Sequence, residues 1–299
     1  MRTVRRWHQG RPGISGAAFL CDIIDKILEP FTGFWYTAFM KRGGTEKKFG
    51  YEWDLYREII PLHERQFVQW IQPFALDDFR GKRFLDAGCG IGRNSLWALK
   101  AGAASAYAFD FDERTVSVAR ENLKGYPNCE VGFESVYDLA RRDEFDIAFC
   151  IGVLHHLEHP RRAVENLVRA LKPGGTLILW VYAREGNERY LGWFDPLRKH
   201  VTSRIHPAIT RGIAVAMTAA LKLYLVLPHR NSYLAELRKR SFRHTEAMVF
   251  DQLLPHIAHY WRRDEVLGLA SGLPLEEIRV THTHGISWTL IAKKSRGAM

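Results

Sequence analysis

The amino-acid sequence predicts an α/β protein, a parallel sheet covered by helices on both faces. Five short apolar runs carry the strand reading: Arg83 to Ala87, Ser105 to Asp110, Cys129 to Phe133, Phe145 to Ile151 and Thr176 to Tyr182. Segments of helical pattern lie between them, at Arg93 to Ala101, Asp112 to Leu123 and Arg161 to Leu171. Alternation at this spacing means βαβ units. A further segment, Glu276 to Lys293, reads as two more strands around Gly285, which brings the sheet to seven.

Taken in order, residues 1–50 read as an N-terminal appendage. Phe19 to Met40 is rich in apolar and aromatic residues, broken by Pro30 and Gly33, and is expected to pack on the main domain or to lie on a membrane surface. Lys41 to Lys48 reads as a polar, glycine-containing linker. From Phe49 onward, Trp53, Tyr56, Ile60, Phe67 and Ile71 recur at roughly helical spacing, as core or as a cover. Residues 51–183 hold the βαβ units. Asp112 is a credible N-cap, and Pro173-Gly174-Gly175 stops the helix before the fifth strand.

Residues 184–261 form an insertion too long for a simple loop, so it must carry structure of its own. Its centre, Ile213 to Leu227, is apolar except for Lys222. That falls short of the roughly 20 residues a spanning helix needs. Arg198, Lys199, Arg204 and Arg211 precede it, and Arg238, Lys239, Arg240 and Arg243 follow. A helix with such flanks suits peripheral contact with anionic lipid, and a buried lid over the active site accounts for the apolar run equally well. Residues 262–299 supply a last helix and the hairpin.

At 299 residues, 46% hydrophobic and 25% charged, the chain has the composition of an ordinary globular protein. A formal charge of +10 points to nucleic acid, to an anionic membrane, or to a basic surface with no dedicated partner. Cys21, Cys89, Cys129 and Cys150 show neither metal-ligand nor disulfide spacing, which fits reduced thiols in a cytoplasmic protein. Asp22 and Asp25 interrupt the apolar stretch behind Arg2, Arg5 and Arg6, so no signal peptide is expected.

The chemistry is announced at Phe84 to Asn94, FLDAGCGIGRN. A strand ends in Asp86 and breaks into Gly88, Gly90 and Gly92, where a ligand can approach the backbone. The second strand ends in Asp110, placed to grip the two hydroxyls of a ribose. The glycines run G-x-G-x-G instead of the dinucleotide pattern G-x-G-x-x-G. An acid two residues ahead of them opposes a pyrophosphate and suits a cationic ligand end.

From about Gly81 to Tyr182 the sequence resembles, motif by motif, the class I S-adenosylmethionine-dependent methyltransferases of type 11, the small-molecule enzymes related to quinone biosynthesis. The resemblance implies a doubly wound, Rossmann-like sheet closed by an antiparallel C-terminal hairpin, with an N-terminal helical extension and a helical insertion after the fifth strand. It implies S-adenosylmethionine as cofactor, held at its methionine end by Asp86, Gly88, Cys89 and Gly90. Asp110 would take the ribose, and Phe111 would flank the adenine. Ser135 and Val136 stand where many members offer the adenine an acid, so that contact passes to the backbone. Ile151 and Gly152 would form the floor, and Trp53 and Tyr56 a lid.

FDIAFCIGVLHHLEHP resembles the fourth motif of the same enzymes, which makes His155 and His156 candidates for a general base or for ordering the loop. The C-terminal third adds Asp251, His256, His259 and Tyr260 ahead of the last helix, and His282 and His284 on one strand face, as an acceptor wall. No metal site is expected. The function read from these residues is methylation of a small or lipid-linked acceptor at oxygen. A nucleic-acid methyltransferase and a non-catalytic cofactor-binding partner are the alternatives.

Overall fold

The computed structural model describes residues 45–226 and 232–297. The appendage reading for Phe19 to Met40, and Cys21 with it, lies outside the described residues. Seven strands form one sheet in the order β3-β2-β1-β4-β5-β7-β6. They are β1 (Arg83–Ala87), β2 (Ser105–Asp110), β3 (Cys129–Phe133), β4 (Phe145–Ile151), β5 (Leu171–Tyr182), β6 (Leu275–Thr283) and β7 (Ser287–Lys294). The first five are parallel to one another, and β7 runs antiparallel to both β5 and β6.

Side chains of the central strands alternate between two cores because a strand's period is two. Phe84, Ile147, Phe149 and Ile178 meet Phe67 of α2 (Pro61–Trp70) and Trp97 and Ala98 of α3 (Arg93–Lys100) on one face. Leu85, Ala148, Cys150 and Leu177 meet Val164 and Leu167 of α5 (Pro160–Ala170) on the other. The fourth helix, α4 (Glu113–Leu123), starts where Asp112 caps it, its carboxylate accepting from the N–H groups of Arg114 and Thr115.

The structure departs from the sequence reading at two boundaries. β5 begins at Leu171, ahead of Pro173-Gly174-Gly175, because Leu171 already pairs with Phe145 across a register shift. Of the polar linker, Lys41 to Gly44 lies outside the described residues and the rest opens α1 (Thr45–Leu55), in which Lys48 is buried and donates to the carbonyl of Ser203. A lysine that reads as solvated thus joins α1 to the insertion.

The insertion is helical: α6 (Glu188–Leu197), α7 (Pro207–Tyr224), α8 (Ser232–Lys239) and α9 (Phe242–Leu253). Phe194, Ala214, Phe250 and Leu253 form a separate small core with Tyr51 and Leu55 of α1. Fully buried Arg198 ties it together, donating to the carbonyl of Pro255 at 3.0 Å and pairing with Asp195. The chain then returns through α10 (Arg263–Ala270) to the hairpin. Among the described residues, no helix is long and apolar enough to cross a membrane.

Candidate active site

The carboxyl ends of β1 and β2 hold the two acids at the glycine loop. Asp110 accepts from the N–H of Gly90 at 3.0 Å and of Asp112 at 3.2 Å, so it shapes the loop while keeping oxygen lone pairs for a ligand. Gly88 and Gly90 have φ of +75° and +55°, a left-handed conformation that other residues adopt only under strain. A Cβ on Gly90 would stand 3.6 Å from the Trp53 ring, so α1 lies directly over the loop. Cys89 is buried beside Ala108 and Ala119, and shapes the loop from beneath.

Asp86 is buried. One of its oxygens accepts from the Ser95 hydroxyl at 2.7 Å; the other has no hydrogen-bond partner among the described residues. Burial raises its pKa to about 7 and that of Asp110 to about 6. An unpartnered buried carboxylate oxygen is costly unless a donor meets it. The donor set it asks for is that of an ammonium, which fits the methionine end of S-adenosylmethionine.

Arg93, at the first position of α3, supplies the complementary charge, and the sequence reading missed it as a site residue. Its guanidinium lies over the rings of Trp53 and Trp70, 5.4 and 5.2 Å from their centroids. Glu52, Asp251, Tyr182 and Asp86 all act on it electrostatically. Glu52 is 2% exposed, and burial, with Asp251 nearby, pushes its carboxyl well above the usual range. Asp251 is raised to about 6 by burial, opposed by Arg93. Gln252 bridges two phenols, accepting from Tyr190 and donating to Tyr182, each at 3.0 Å. The sequence marks Arg93 only as the start of α3, because Glu52 and Asp251, which act on it, come from distant segments.

The histidines are placed differently. His155 is fully buried, stacked on Tyr182 with centroids 3.8 Å apart, and neither ring nitrogen has a hydrogen-bond partner among the described residues. Burial holds its pKa well below the ordinary value, and that of His156 at about 4. His156 bonds through Nδ1 to the carbonyl of Ile257 at 2.8 Å, and His259 through Nε2 to that of Leu157 at 3.1 Å. The backbone N–H of His259 donates to the carbonyl of His155 at 2.8 Å. The rings of His156 and His259 and the carbonyl of His155 fasten the loop after β4 to the chain returning from α9. Their depressed pKa values make His155 and His156 weak bases.

His282 lies on the edge strand β6, exposed and stacked on Trp288, away from β1 and β2. His284 sits in the hairpin turn, bonded to Gln69, and does not share a strand face with His282. His256 is exposed, with its ring against the Ser203 hydroxyl. Tyr260 stacks on Tyr182 at 5.2 Å.

At the adenine end, Phe111 is 51% exposed and stacks in parallel on Phe133 with centroids 5.7 Å apart. Val136 instead turns its side chain into the core, and the Ser135 hydroxyl accepts from the N–H of Tyr137. Ile151 is buried, and Gly152 at the end of β4 has open space where a Cβ would stand. Tyr56 follows the end of α1, with the Arg243 guanidinium 5.8 Å from its ring centroid. Among the described residues no cluster of histidine, cysteine and acid could hold a metal ion.

Residues 85–179 match the family model described as a methyltransferase domain. This region is a class I S-adenosylmethionine-dependent methyltransferase domain. Over 137 residues the chain is 34% identical to a ubiquinone biosynthesis O-methyltransferase of Thiobacillus denitrificans, a match covering 44% of this chain and 55% of that one. Over 145 residues it is 31% identical to a tRNA U34 carboxymethyltransferase of Idiomarina loihiensis, covering 45% and 44%. The chain thus spans about half the length of these curated relatives. Among solved structures, a chain of the complex between the Haloferax volcanii Trm112 methyltransferase activator and a methyltransferase aligns with a TM-score of 0.51 at 15% identity. That alignment covers 86% of this chain and 100% of the other, and bears on the fold alone.

Proposed function

We propose that this protein methylates a small or lipid-linked acceptor at oxygen, with S-adenosylmethionine as donor. The observation that carries the reading is the group formed by Arg93, Glu52, Asp251, Gln252 and Tyr182 beside the glycine loop, roofed by α1 and the insertion. S-adenosylmethionine supplies an electrophilic methyl group when bound. Asp86 and Arg93 would hold the ammonium and carboxylate of its methionine end. Gly88, Cys89 and Gly90 would line that end, Asp110 the ribose, and Phe111, with the backbone at Ser135 and Val136, the adenine. Ile151 and Gly152 would form the floor.

An acceptor hydroxyl needs a base to take its proton as the methyl bond forms. Asp251, raised to about 6, is mostly ionised near neutrality and retains basicity; burial, with Asp251 nearby, also raises the Glu52 carboxyl well above the ordinary range. The proton passes from the acceptor oxygen to the Asp251 carboxylate. His155, His156 and His259 act as positioning residues under this reading. The apolar and aromatic lining of residues 184–261 favours an acceptor with a hydrophobic part, met by a cytoplasmic protein working peripherally at a membrane.

The test is to incubate radiolabelled S-adenosylmethionine with host extract, with and without the protein, and to separate lipid, glycan and nucleic acid. Label is expected in a lipid or small-molecule fraction, with Asp251→Asn lowering the rate by about 10²–10⁴-fold while cofactor binding persists. The tRNA-modifying relative gives weight to a second reading, a nucleic-acid acceptor, and label in RNA would establish it. Cofactor binding with no labelled product in any fraction would leave a cofactor-binding partner protein.

A further inference from the structure

The largest feature the active site leaves unused is the outer face of α7. Within 207–226 the exposed positions are 208, 209, 212, 215, 216, 219, 220, 223, 224 and 226. Their three- and four-residue spacing makes one stripe along the helix. They read Ala, Ile, Gly, Val, Ala, Ala, Ala, Leu, Tyr and Val, so the Tyr224 hydroxyl is the stripe's one polar side-chain group. Ile209 is 59% exposed, Val226 64% and Leu223 75%.

The inner face is the reverse. Thr210, Ala214 and Thr218 are buried, and the Thr210 hydroxyl donates to the carbonyl of Thr202 at 3.1 Å. Leu225 also turns inward, at 1% exposed. A surface helix ordinarily sets its polar residues in water and its bulk against the core. Single exposed apolar residues are ordinary, whereas a continuous stripe of them marks a surface that something covers.

Charge tells what covers it. From Asp195 to Glu246 there are ten lysines and arginines and three acids, Asp195, Glu236 and Glu246. The other 247 residues hold 33 basic against 30 acidic side chains, so most of the +10 net charge belongs to the segment that carries α7. The Lys222 amino group donates to the carbonyls of Leu237 and Arg240, which sets the end of α8, with exposed Arg238 and Lys239, beside the end of α7. Exposed Arg204 precedes the other end.

We propose that α7 is a monotopic docking helix for an anionic phospholipid surface. Its stripe lies at the boundary of headgroups and acyl chains, about 5–10 Å deep, with Arg204, Arg238 and Lys239 against the phosphates. Nucleic acid matches the charge but not the stripe, which offers it one aromatic ring and no row of donors. A second copy of the chain matches the stripe but brings like charges together. The inference rests on the peripheral placement proposed above and not on the identity of the acceptor.

The test is co-sedimentation of the full chain with vesicles of phosphatidylcholine alone or mixed with phosphatidylglycerol, at low and high salt. Cofactor binding and thermal melting are measured on every variant. The wild type is expected to bind the anionic vesicles, to release as salt screens the charges, and to ignore phosphatidylcholine. Leu223→Asp with Val226→Asp, and separately Arg238→Glu with Lys239→Glu, are each expected to weaken binding by about tenfold or more while melting and cofactor binding hold. Four results would overturn the proposal: no anionic-vesicle binding at low salt, binding that the aspartates leave intact, a melting collapse of the Leu223→Asp variant, or a dimer that those aspartates dissolve. Salt-sensitive retention on RNA in place of vesicles would overturn it as well. Vesicle binding without any labelled product would leave docking standing and sink the enzymatic reading, and labelled product without vesicle binding would do the opposite.

Discussion

The cofactor end and its cover are built on different plans. Asp86, the glycine loop and Asp110 stand on adjacent parallel strands, and backbone N–H groups hold the loop in place: those of Gly88 and Cys89 donate to the carbonyl of Phe109, each at 2.9 Å. The cover is assembled from distant parts of the chain. Lys48 reaches Ser203, Arg243 reaches the carbonyl of Leu55, and Arg211 pairs with buried Glu246 at 3.0 Å. A sheet edge fixes a cofactor by covalent proximity, while a helical cover can be exchanged for another acceptor without disturbing it. Arg93 is the joint between the two, acting on Asp86 on one side and on Glu52 and Asp251 on the other.

The sharpest way to break that joint is Arg93→Ala. Removing the cation leaves buried acids from both regions uncompensated, and the loss of stability is expected to reach about 3–5 kcal/mol, measured by denaturant unfolding. A loss within experimental error would mean that the two regions are electrostatically independent. Arg93→Lys should recover part of the stability but less of the stacking on Trp53 and Trp70.

What the sequence makes legible follows the same division. β1 to β4 begin and end where the apolar runs do, because strands covered on both faces are written in consecutive residues. Asp112 reads as a cap because its partners are two and three residues away. Arg93, by contrast, reads only as a helix start. Its neighbours Glu52 and Asp251 come from α1 and α9, and no local pattern records that they converge. The inward turn of Leu225 and the outward turn of Leu223 are likewise invisible in an apolar run, where every residue suits either face.

A change confined to the cofactor end comes next in size. Asp110→Ala should weaken S-adenosylmethionine and its demethylated product by about 1.5–3 kcal/mol in calorimetry, as loss of a charged acceptor implies. The cover should keep its proteolytic resistance, since Asp110 touches the loop and not α9. Preference of the wild type for a nicotinamide dinucleotide would refute the assignment of this end altogether.

The converse change touches only the seam between α1 and α4. A Cβ on Gly50 would collide with the Asp112 carboxylate. Gly50→Ala should therefore destabilise by about 1–3 kcal/mol through forced displacement. Hydrogen exchange should rise in α1 and at the start of α4 and stay unchanged in β1 and β4. Uniform loss of protection across the sheet would show that the cover and the core unfold as one.

The smallest expected effect uses pH to separate the acids. Asp86 and Asp110 have folded pKa values of about 7 and about 6, above the ordinary carboxylate value, so the folded chain holds more protons than the unfolded one between roughly pH 4 and 7. Their contribution to stability is therefore greatest below the unfolded pKa and is lost as pH rises through the folded values. His155 and His156 act in the opposite direction: kept neutral by burial, they lower stability as pH falls through the ordinary histidine value. Melting alone mixes the two, whereas cofactor affinity isolates the acids. An ammonium is best met by ionised Asp86, so affinity should rise by about tenfold, or 1.4 kcal/mol, from roughly pH 6 to a plateau above 7. Asp86→Asn should bind more weakly and keep only the shallower titration of Asp110 near 6. A wild-type affinity that stays flat across this range would show that Asp86 meets its ligand as a neutral acid, and the cation-binding role would then pass from the sheet edge to the acids of the cover.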